Sequence, residues 1–241
     1  MAKDRIYASN NVKTGPFEFN EAVARVFPDM LRRSIPGYEA TIECIGSLAE
    51  RYVTANSNCY DLGCSLGAAT LAMRHSIRQP GCRIVAVDNA PAMADRCREL
   101  IDQDDAGIEV DVRLADVMSI GIERASMVVM NYTLQFLPAA DRQTIIDRIW
   151  HGMLPGGVFV LSEKVVDEDP LIEELLVELH HEHKRRNEYS ALEIARKRTA
   201  LENVLVPESL ETHRSRLRQA GFEHMGTWQR HFNFLSIVAI K

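Results

Sequence analysis

Between residues 58 and 165 the chain alternates short, dense apolar runs with longer stretches that carry apolar residues at helical spacing. The runs are Tyr60-Asp61-Leu62 leading into Gly63, Arg83-Ile84-Val85-Ala86-Val87-Asp88, Val110-Asp111-Val112-Arg113-Leu114, Ala125-Ser126-Met127-Val128-Val129-Met130 and Val158-Phe159-Val160-Leu161. Runs this short and this apolar read as strands buried on both faces of a parallel sheet. Helical segments between several of them are the mark of βαβ units. The turn Leu154-Pro155-Gly156-Gly157 ends one helix and feeds the fifth strand.

Ahead of this core, Ile42, Ile45, Leu48 and Ala49 predict a helix over Tyr38–Tyr52. Behind it the alternation breaks. Residues 167–206 read as largely helical, with Leu171, Ile172, Leu175, Leu176 and Leu179 in one stripe that suits core or a subunit interface. A second helix starts at Ser190, which stands three residues before Glu193 as in a capping box. A further helix over Leu210–Ala220 is stopped by Gly221. Two adjacent runs at the end, residues 225–230 and Phe234–Ile240, predict an antiparallel hairpin. The expectation is an α/β, Rossmann-like fold in one domain over residues 1–241. Its sheet is mostly parallel and seven-stranded and ends in the hairpin, with a helical insertion at about 167–207 after the fifth strand.

Composition narrows the classes. The chain has 241 residues, 46% hydrophobic and 26% charged, the balance of a globular core inside a charged surface. No run approaches the roughly 18 apolar residues that cross a bilayer. No apolar stretch follows Met1-Ala2-Lys3-Asp4-Arg5-Ile6, so neither a secretory signal nor a membrane partner is expected. Five cysteines (Cys44, Cys59, Cys64, Cys82, Cys97) without a CxxC pair suit a reducing cytoplasm and argue against a disulfide framework or zinc ribbon. Lys plus Arg total 28 against 34 Asp plus Glu, a net charge of -6. That favours a small-molecule substrate over tight direct nucleic-acid binding. The basic residues Lys184, Arg185, Arg186, Arg196, Lys197 and Arg198 do lie close together in sequence.

The candidate chemistry follows the strands. Gly63 and Gly67 frame Asp61-Leu62-Gly63-Cys64-Ser65-Leu66-Gly67, where a sharp turn brings backbone close to a ligand and the next helix aims its amides at it. The spacing is G-x-x-x-G, not the G-x-G-x-x-G of a pyrophosphate binder. The competing reading is a purely structural turn. Asp88 ends the second strand, 21 residues past Gly67, where a carboxylate accepts from both hydroxyls of a ribose; a solvated strand end is the alternative. Asp116 is placed either for an adenine amino group or as a helix N-cap, and Asn131 either at a ligand edge or as a polar strand end. Ile194, Arg198, Leu201 and Leu205 fall on one helical face, so the Arg198 guanidinium needs an anion or must snorkel out. His180, His181 and His183 lack the i, i+4 spacing of a helical metal pair, and no metal is expected.

In this order, these residues resemble class I S-adenosylmethionine-dependent methyltransferases. Longer strings narrow the resemblance. Residues 23–37 read V-A-R-V-F-P-D-M-L-R-R-S-I-P-G, 61–68 D-L-G-C-S-L-G-A, 131–137 N-Y-T-L-Q-F-L and 161–164 L-S-E-K. Lys197-Arg198 precedes Leu201-Glu202-Asn203-Val204, and Glu211-Thr212-His213 precedes Ala220-Gly221-Phe222-Glu223-His224. Together they resemble the carboxy-S-adenosyl-L-methionine synthases of bacterial tRNA wobble-uridine modification, over nearly the whole chain from about Phe17.

The resemblance implies a cytoplasmic, homodimeric transferase. Its substrates are S-adenosylmethionine and prephenate, and its products are carboxy-S-adenosyl-L-methionine and phenylpyruvate. A separate tRNA carboxymethyltransferase then uses the product for 5-oxyacetyl-uridine formation. The implied cofactor contacts are Tyr38, Gly63, Cys64, Ser65, Asp88, Asn89, Asp116, Val117 and Asn131, and the implied role of Arg198 is to hold the extra carboxylate. The rival reading is an ordinary methyltransferase acting on a small molecule or RNA, which shares every cofactor contact. A non-catalytic cofactor-binding protein is the rival from another class.

Overall fold

The computed structural model describes residues 2–8 and 15–241; Met1 of the N-terminal string lies outside them. In chain order the elements are α1 (Glu21–Ser34), α2 (Tyr38–Tyr52), β1 (Asn58–Leu62), α3 (Ala68–Ser76), β2 (Arg83–Asp88), α4 (Pro91–Asp102), β3 (Glu109–Leu114), β4 (Ala125–Asn131), α5 (Arg142–Gly152) and β5 (Met153–Val166). They continue with α6 (Pro170–Arg186), α7 (Ala191–Leu201), β6 (Glu208–Ser209), α8 (Leu210–Ala220), β7 (His224–His231) and β8 (Phe234–Ile240). Seven strands form one path in the order β3-β2-β1-β4-β5-β8-β7, and the two-residue β6 pairs in parallel with the end of β5. The first five strands of that path are parallel, and β8 is antiparallel to both β5 and β7. The parallel sheet, the closing hairpin and the helices after the fifth strand all stand as the sequence pattern predicts. β6 and α1 are additions to that pattern.

The strands are apolar on both faces because helices cover both. On one face Leu62, Val87, Val128, Met130, Phe159 and Leu161 pack with Ile145, Ile146 and Ile149 of α5 and Leu217 of α8. On the other, Cys59, Ile84, Met127, Val129 and Val160 pack with Ile45 and Ala49 of α2 and with Ala69 and Met73 of α3. Alternate residues of one strand serve alternate cores, which is the period of two a strand imposes. The turn at 154–157 belongs to β5, which continues from Met153 across a register shift opposite Ala125 and Met127. The helix starts and stops read from the sequence are present. Ser190 and Glu193 cap each other at the start of α7, and Gly221 ends α8 with φ 116°.

A third apolar cluster builds a cap over the sheet. Val23, Val26, Phe27 and Met30 of α1 pack with Phe17, Leu66, Met93 and Ala200 of α7. The Phe17 N–H donates to the Ala200 carbonyl at 2.8 Å. The Arg33 guanidinium donates to Asp29 and to the Asp4 carbonyl, and lies 3.9 Å from the centre of the Tyr189 ring. N-terminal segment, α1 and insertion therefore form one layer. No helix among the described residues is long and apolar enough to cross a membrane.

Candidate functional site

The order β3-β2-β1-β4 reverses direction between β1 and β4, and open α/β sheets bind ligands beyond the carboxyl ends of strands at such a point. Most of the sequence-predicted residues meet here. Gly63 leaves β1 with φ 86° and Gly67 caps α3 with φ 83°, both in the left-handed region that favours glycine. A Cβ on Gly63 would overlap the Thr133 side chain, so glycine is also required by the close approach of the loop after β4. Gly63 and Cys64 both donate their N–H to the Val87 carbonyl, at 2.8 and 2.9 Å, which ties the turn to β2. The hydrogen bond with Cys97 and burial hold the Cys64 thiol well above its usual range. Cys64 is thus an inert side chain, and what it offers a ligand is backbone.

Asp88 closes the turn from the other side. One oxygen accepts from the Ser65 N–H at 2.8 Å and the other from the Ala90 N–H at 2.9 Å. An ionised carboxylate offers about four acceptor positions, so two remain for hydroxyls. Burial raises the carboxyl of Asp88. Asp61, one strand over, accepts the Thr70 hydroxyl at 2.6 Å and is pushed to about 6 by burial, with the Asp88 charge adding to it. Tyr38 opens α2 against a left-handed Gly37, with its ring 6.5 Å from that of Tyr132. Phe27, Leu31, Tyr38, Cys64, Ser65 and Leu66 line a cleft of about 190 Å³. Asn131 ends β4 with its Oδ1 buried and unpartnered among the described residues. A buried amide oxygen without a donor is costly unless a ligand supplies one. The left-handed glycines, the paired Asp88 and the orphaned Asn131 oxygen together fit a nucleoside with a cationic amino-acid tail.

Asn89 and Asp116 lie further along the edge, both exposed. The Ala115 N–H donates to the Asp88 carbonyl at 3.0 Å, which holds the Asp116 loop against β2. Asp116 Oδ1 caps the short 3-10 turn Val117–Ser119 through the Met118 N–H at 2.8 Å, so the capping alternative is realised. Its second oxygen makes no hydrogen bond within the described residues. Val117 is buried in the core beside β2 and β4.

Arg198 requires a correction. The one-face reading places it among apolar neighbours, whereas it is exposed. Helix α7 ends at Leu201 and Asn203 turns to φ 61°, so Leu205 lies beyond the helix and the face does not extend to it. The buried basic residue is the next one back. Lys197 donates to Ser34 Oγ at 3.1 Å. The basic run in sequence is therefore no continuous surface patch, since Lys197 is buried and Lys184 half-buried. Arg198 lies within electrostatic reach of Lys164 and His181.

The three histidines do not converge. His180 donates from Nε2 to the Ser34 carbonyl at 2.9 Å, and His183 faces Phe232. Among the described residues no group of three His, Cys, Asp or Glu is arranged to hold a metal.

Two groups at the site lie outside the residues singled out in the sequence. Glu163 sits one position before the end of the L-S-E-K string. It is fully buried and accepts the N–H groups of Leu134 and Gln135, both at 2.9 Å, fixing the loop after Asn131. Burial lifts its carboxyl to about 8. The α1 wall of the cleft was announced only by Asn20, whose side chain caps that helix at the Val23 N–H.

Comparison with known proteins agrees with this geometry. Residues 60–157 match a family model described as a methyltransferase domain. The chain is 54% identical over 239 residues to the carboxy-S-adenosyl-L-methionine synthases of Yersinia enterocolitica and Yersinia pestis, spanning 99% of this chain and 90% of each relative. An O-methyltransferase family protein from Burkholderia thailandensis superposes with a TM-score of 0.65 at 15% identity, over 92% of this chain and 59% of that one. Human N-acetylserotonin methyltransferase, solved with S-adenosylmethionine, gives 0.55 at 16% identity, over 99% of this chain and 63% of that one. At such identities the structures speak for the fold.

Proposed function

The chain belongs to the carboxy-S-adenosyl-L-methionine synthase family of class I methyltransferase fold, a family of transferases, and from that premise we propose that it converts S-adenosylmethionine and prephenate to carboxy-S-adenosyl-L-methionine and phenylpyruvate. S-adenosylmethionine supplies a methyl group acidified by the neighbouring sulfonium. Prephenate aromatises as it loses one carboxyl as CO₂ and its ring hydroxyl. The hydroxyl leaves with the methyl proton as water, and the CO₂ joins the methyl carbon. Atoms balance with no outside oxidant.

The chain's own residues position and enclose. Asp88 takes the ribose hydroxyls, the Gly63–Ser65 backbone lies along the nucleoside, and Asn131 accepts from the amino-acid tail. Tyr38 and Tyr132 close the methyl side against water, which favours capture of CO₂ over its escape. Arg198 stabilises the new carboxylate from the rim. The observation that carries the reading is the 54% identity over 99% of the chain, joined to a crevice whose orphaned Asn131 oxygen awaits a donor.

Two further proposals complete it. The product passes to a separate tRNA carboxymethyltransferase in the cytoplasm, consistent with a net charge of -6 that does not draw RNA. A second copy of the chain covers α6, where Leu171, Ile172 and Leu175 are 77, 42 and 48% exposed. A monomeric mass of 27.2 kDa in sedimentation would sink the dimer. The deciding experiment is mass spectrometry of ligand released from protein purified from a prephenate-making host. The expected ion is heavier than S-adenosylmethionine by one CO₂. Recovery of S-adenosylmethionine or its homocysteine product alone, over several preparations, would return the chain to an ordinary methyltransferase.

A further inference from the structure

Two lysines, Lys164 of the sheet and Lys184 of the insertion, lie within electrostatic reach of one another. Lys164 lies near the end of β5 and Lys184 in the last turns of α6, and both are half-buried. Neither Nζ makes a hydrogen bond or ion pair with a described residue. Their burial is costly as it stands. Desolvation, with the charges of Lys197 and Lys164 adding to it, pushes Lys184 down to about 7. Desolvation also lowers Lys164, against the pull of the Glu173 carboxylate and with the help of Arg198. Glu173 is partly engaged elsewhere, since its Oε2 accepts the Asp167 N–H at 2.8 Å. Two partly desolvated ammonium groups within electrostatic reach of one another call for an anion.

An aromatic wall joins these lysines to the reacting end of the crevice. Lys164 stands directly opposite Phe234 across the β5–β8 pair, so the two side chains share a face of the sheet. The Phe234 ring packs edge-on against His180 at 4.8 Å and against Tyr132 at 6.0 Å. Tyr132 follows Asn131, and its N–H donates to the Ser162 carbonyl at 2.8 Å, holding it over β5. His180 is pinned by its bond to the carbonyl of Ser34, the last residue of α1, whose hydroxyl also accepts from Lys197. From Asn131 a chain of contacts therefore runs through Tyr132 and the buried Phe234 to Lys164, with Lys184 within its electrostatic reach. This is the profile of a site for an aryl or cyclohexadienyl ring that carries a carboxylate.

We infer that Lys164 and Lys184 hold the side-chain carboxylate of the ring-bearing keto acid, the one retained in the product, while its ring rests on Tyr132, which Phe234 backs. The inference rests on the prephenate reading. Of the two carboxylates on that substrate, one must reach the methyl carbon and leave as CO₂. The other ends a keto-acid side chain borne on the same ring carbon and needs an anchor of its own, which the two lysines supply. Arg198 is then free for the new carboxylate.

The test is direct binding of phenylpyruvate to full-length protein loaded with S-adenosylmethionine, beside turnover of prephenate. Lys184→Met is expected to weaken phenylpyruvate binding by about tenfold or more, the loss of one charge-assisted pair. Lys164→Met should do the same, and Lys184→Arg should bind within about threefold of the parent because it keeps the charge. Affinity for S-adenosylmethionine should hold within about twofold in all three, which guards against a folding artefact. Unchanged phenylpyruvate binding in both Met variants overturns the subsite, as does parent protein that binds no phenylpyruvate. Parent protein that binds phenylpyruvate through these lysines yet leaves prephenate intact keeps the subsite and defeats the prephenate reading.

Discussion

The crevice at the sheet edge and the insertion above it hold charge in opposite ways. In the crevice the titratable groups are carboxyls satisfied by backbone: Asp88 by the N–H groups of Ser65 and Ala90, Glu163 by those of Leu134 and Gln135. Beside the insertion they are basic and carried on long side chains, and Lys164 of β5 and Lys184 of α6 have no hydrogen-bond or ion-pair partner among the described residues. The first region is preorganised and would be little altered by its ligand. The second is held apart from its preferred state and gains most when an anion arrives. A site that joins a cationic nucleoside to a dianionic acid needs both characters, and the chain provides them on separate layers.

The same contrast explains what the sequence disclosed. The Gly63–Gly67 turn, Asp88 and Asn131 are legible because their roles follow from local backbone geometry and from position at a strand end. α7 and α8 are legible through Ser190, Glu193 and Gly221, again local signals. Lys164, Lys184, Tyr132 and Phe234 come from four separate segments, and no spacing announces that they meet. Arg198 was misplaced for a related reason. A helical-face argument assumes the helix continues, and here it stops at Leu201 where the chain turns through a left-handed Asn203. Helix α1 escaped notice because its apolar face is interrupted by Pro28 and Asp29, the latter committed to Arg33.

The largest expected effect breaks the rigid side. Gly63→Ala places a residue at φ 86°, costing about 1–2 kcal/mol for the left-handed backbone, and drives its Cβ into Thr133, adding about 1–3 kcal/mol of overpacking. The sum is a loss of roughly 2–5 kcal/mol in denaturant unfolding. Thr133→Ala in the same chain should restore the overpacking part and leave the backbone part. Full recovery, or none, would show that the turn is not built as described.

The second effect belongs to the insertion and is driven by acid. Desolvation, then the charge of Lys184, holds His180 down to about 2, and Lys164 and His181 act in the same direction against the Ser34 hydrogen bond. His180 is therefore neutral when folded, while an unfolded histidine takes a proton near 6.5. The folded state binds fewer protons, so the contribution is complete above about pH 6.5 and falls as pH drops below it. Lys184, lowered only to about 7, is protonated in both states below about pH 6 and adds no slope there; between pH 7 and 6 it adds a small loss in the same direction. The slope is about 1.4 kcal/mol per pH unit, or roughly 2 kcal/mol by pH 5. Hydrogen exchange corrected for intrinsic rates should show the amides of α6 losing protection between pH 7 and 5 while those of β1 and β4 hold. Equal losses in both regions would mean the insertion is not a separately fastened layer.

The smallest effect falls on Arg198, where the two regions meet. A buried guanidinium paired with the new carboxylate would be worth about 1.5–3 kcal/mol. Arg198 is exposed, so solvent screens the pair and the expected value drops to about 1 kcal/mol or less, under tenfold in affinity. Arg198→Ala should weaken carboxy-S-adenosyl-L-methionine by that amount and leave S-adenosylmethionine unchanged, because only the former carries a group there. Added salt should shrink the difference, as it does for an exposed pair. Arg198→Lys should fall between, since an ammonium keeps the charge without the planar fork. Dissociation constants for both ligands at two ionic strengths decide the matter. A loss of 100-fold or more, insensitive to salt, would mean that Arg198 is enclosed when the ligand binds, either by movement of α7 or by a second copy of the chain seated over α6. Equal losses for the two ligands would remove Arg198 from the carboxylate altogether.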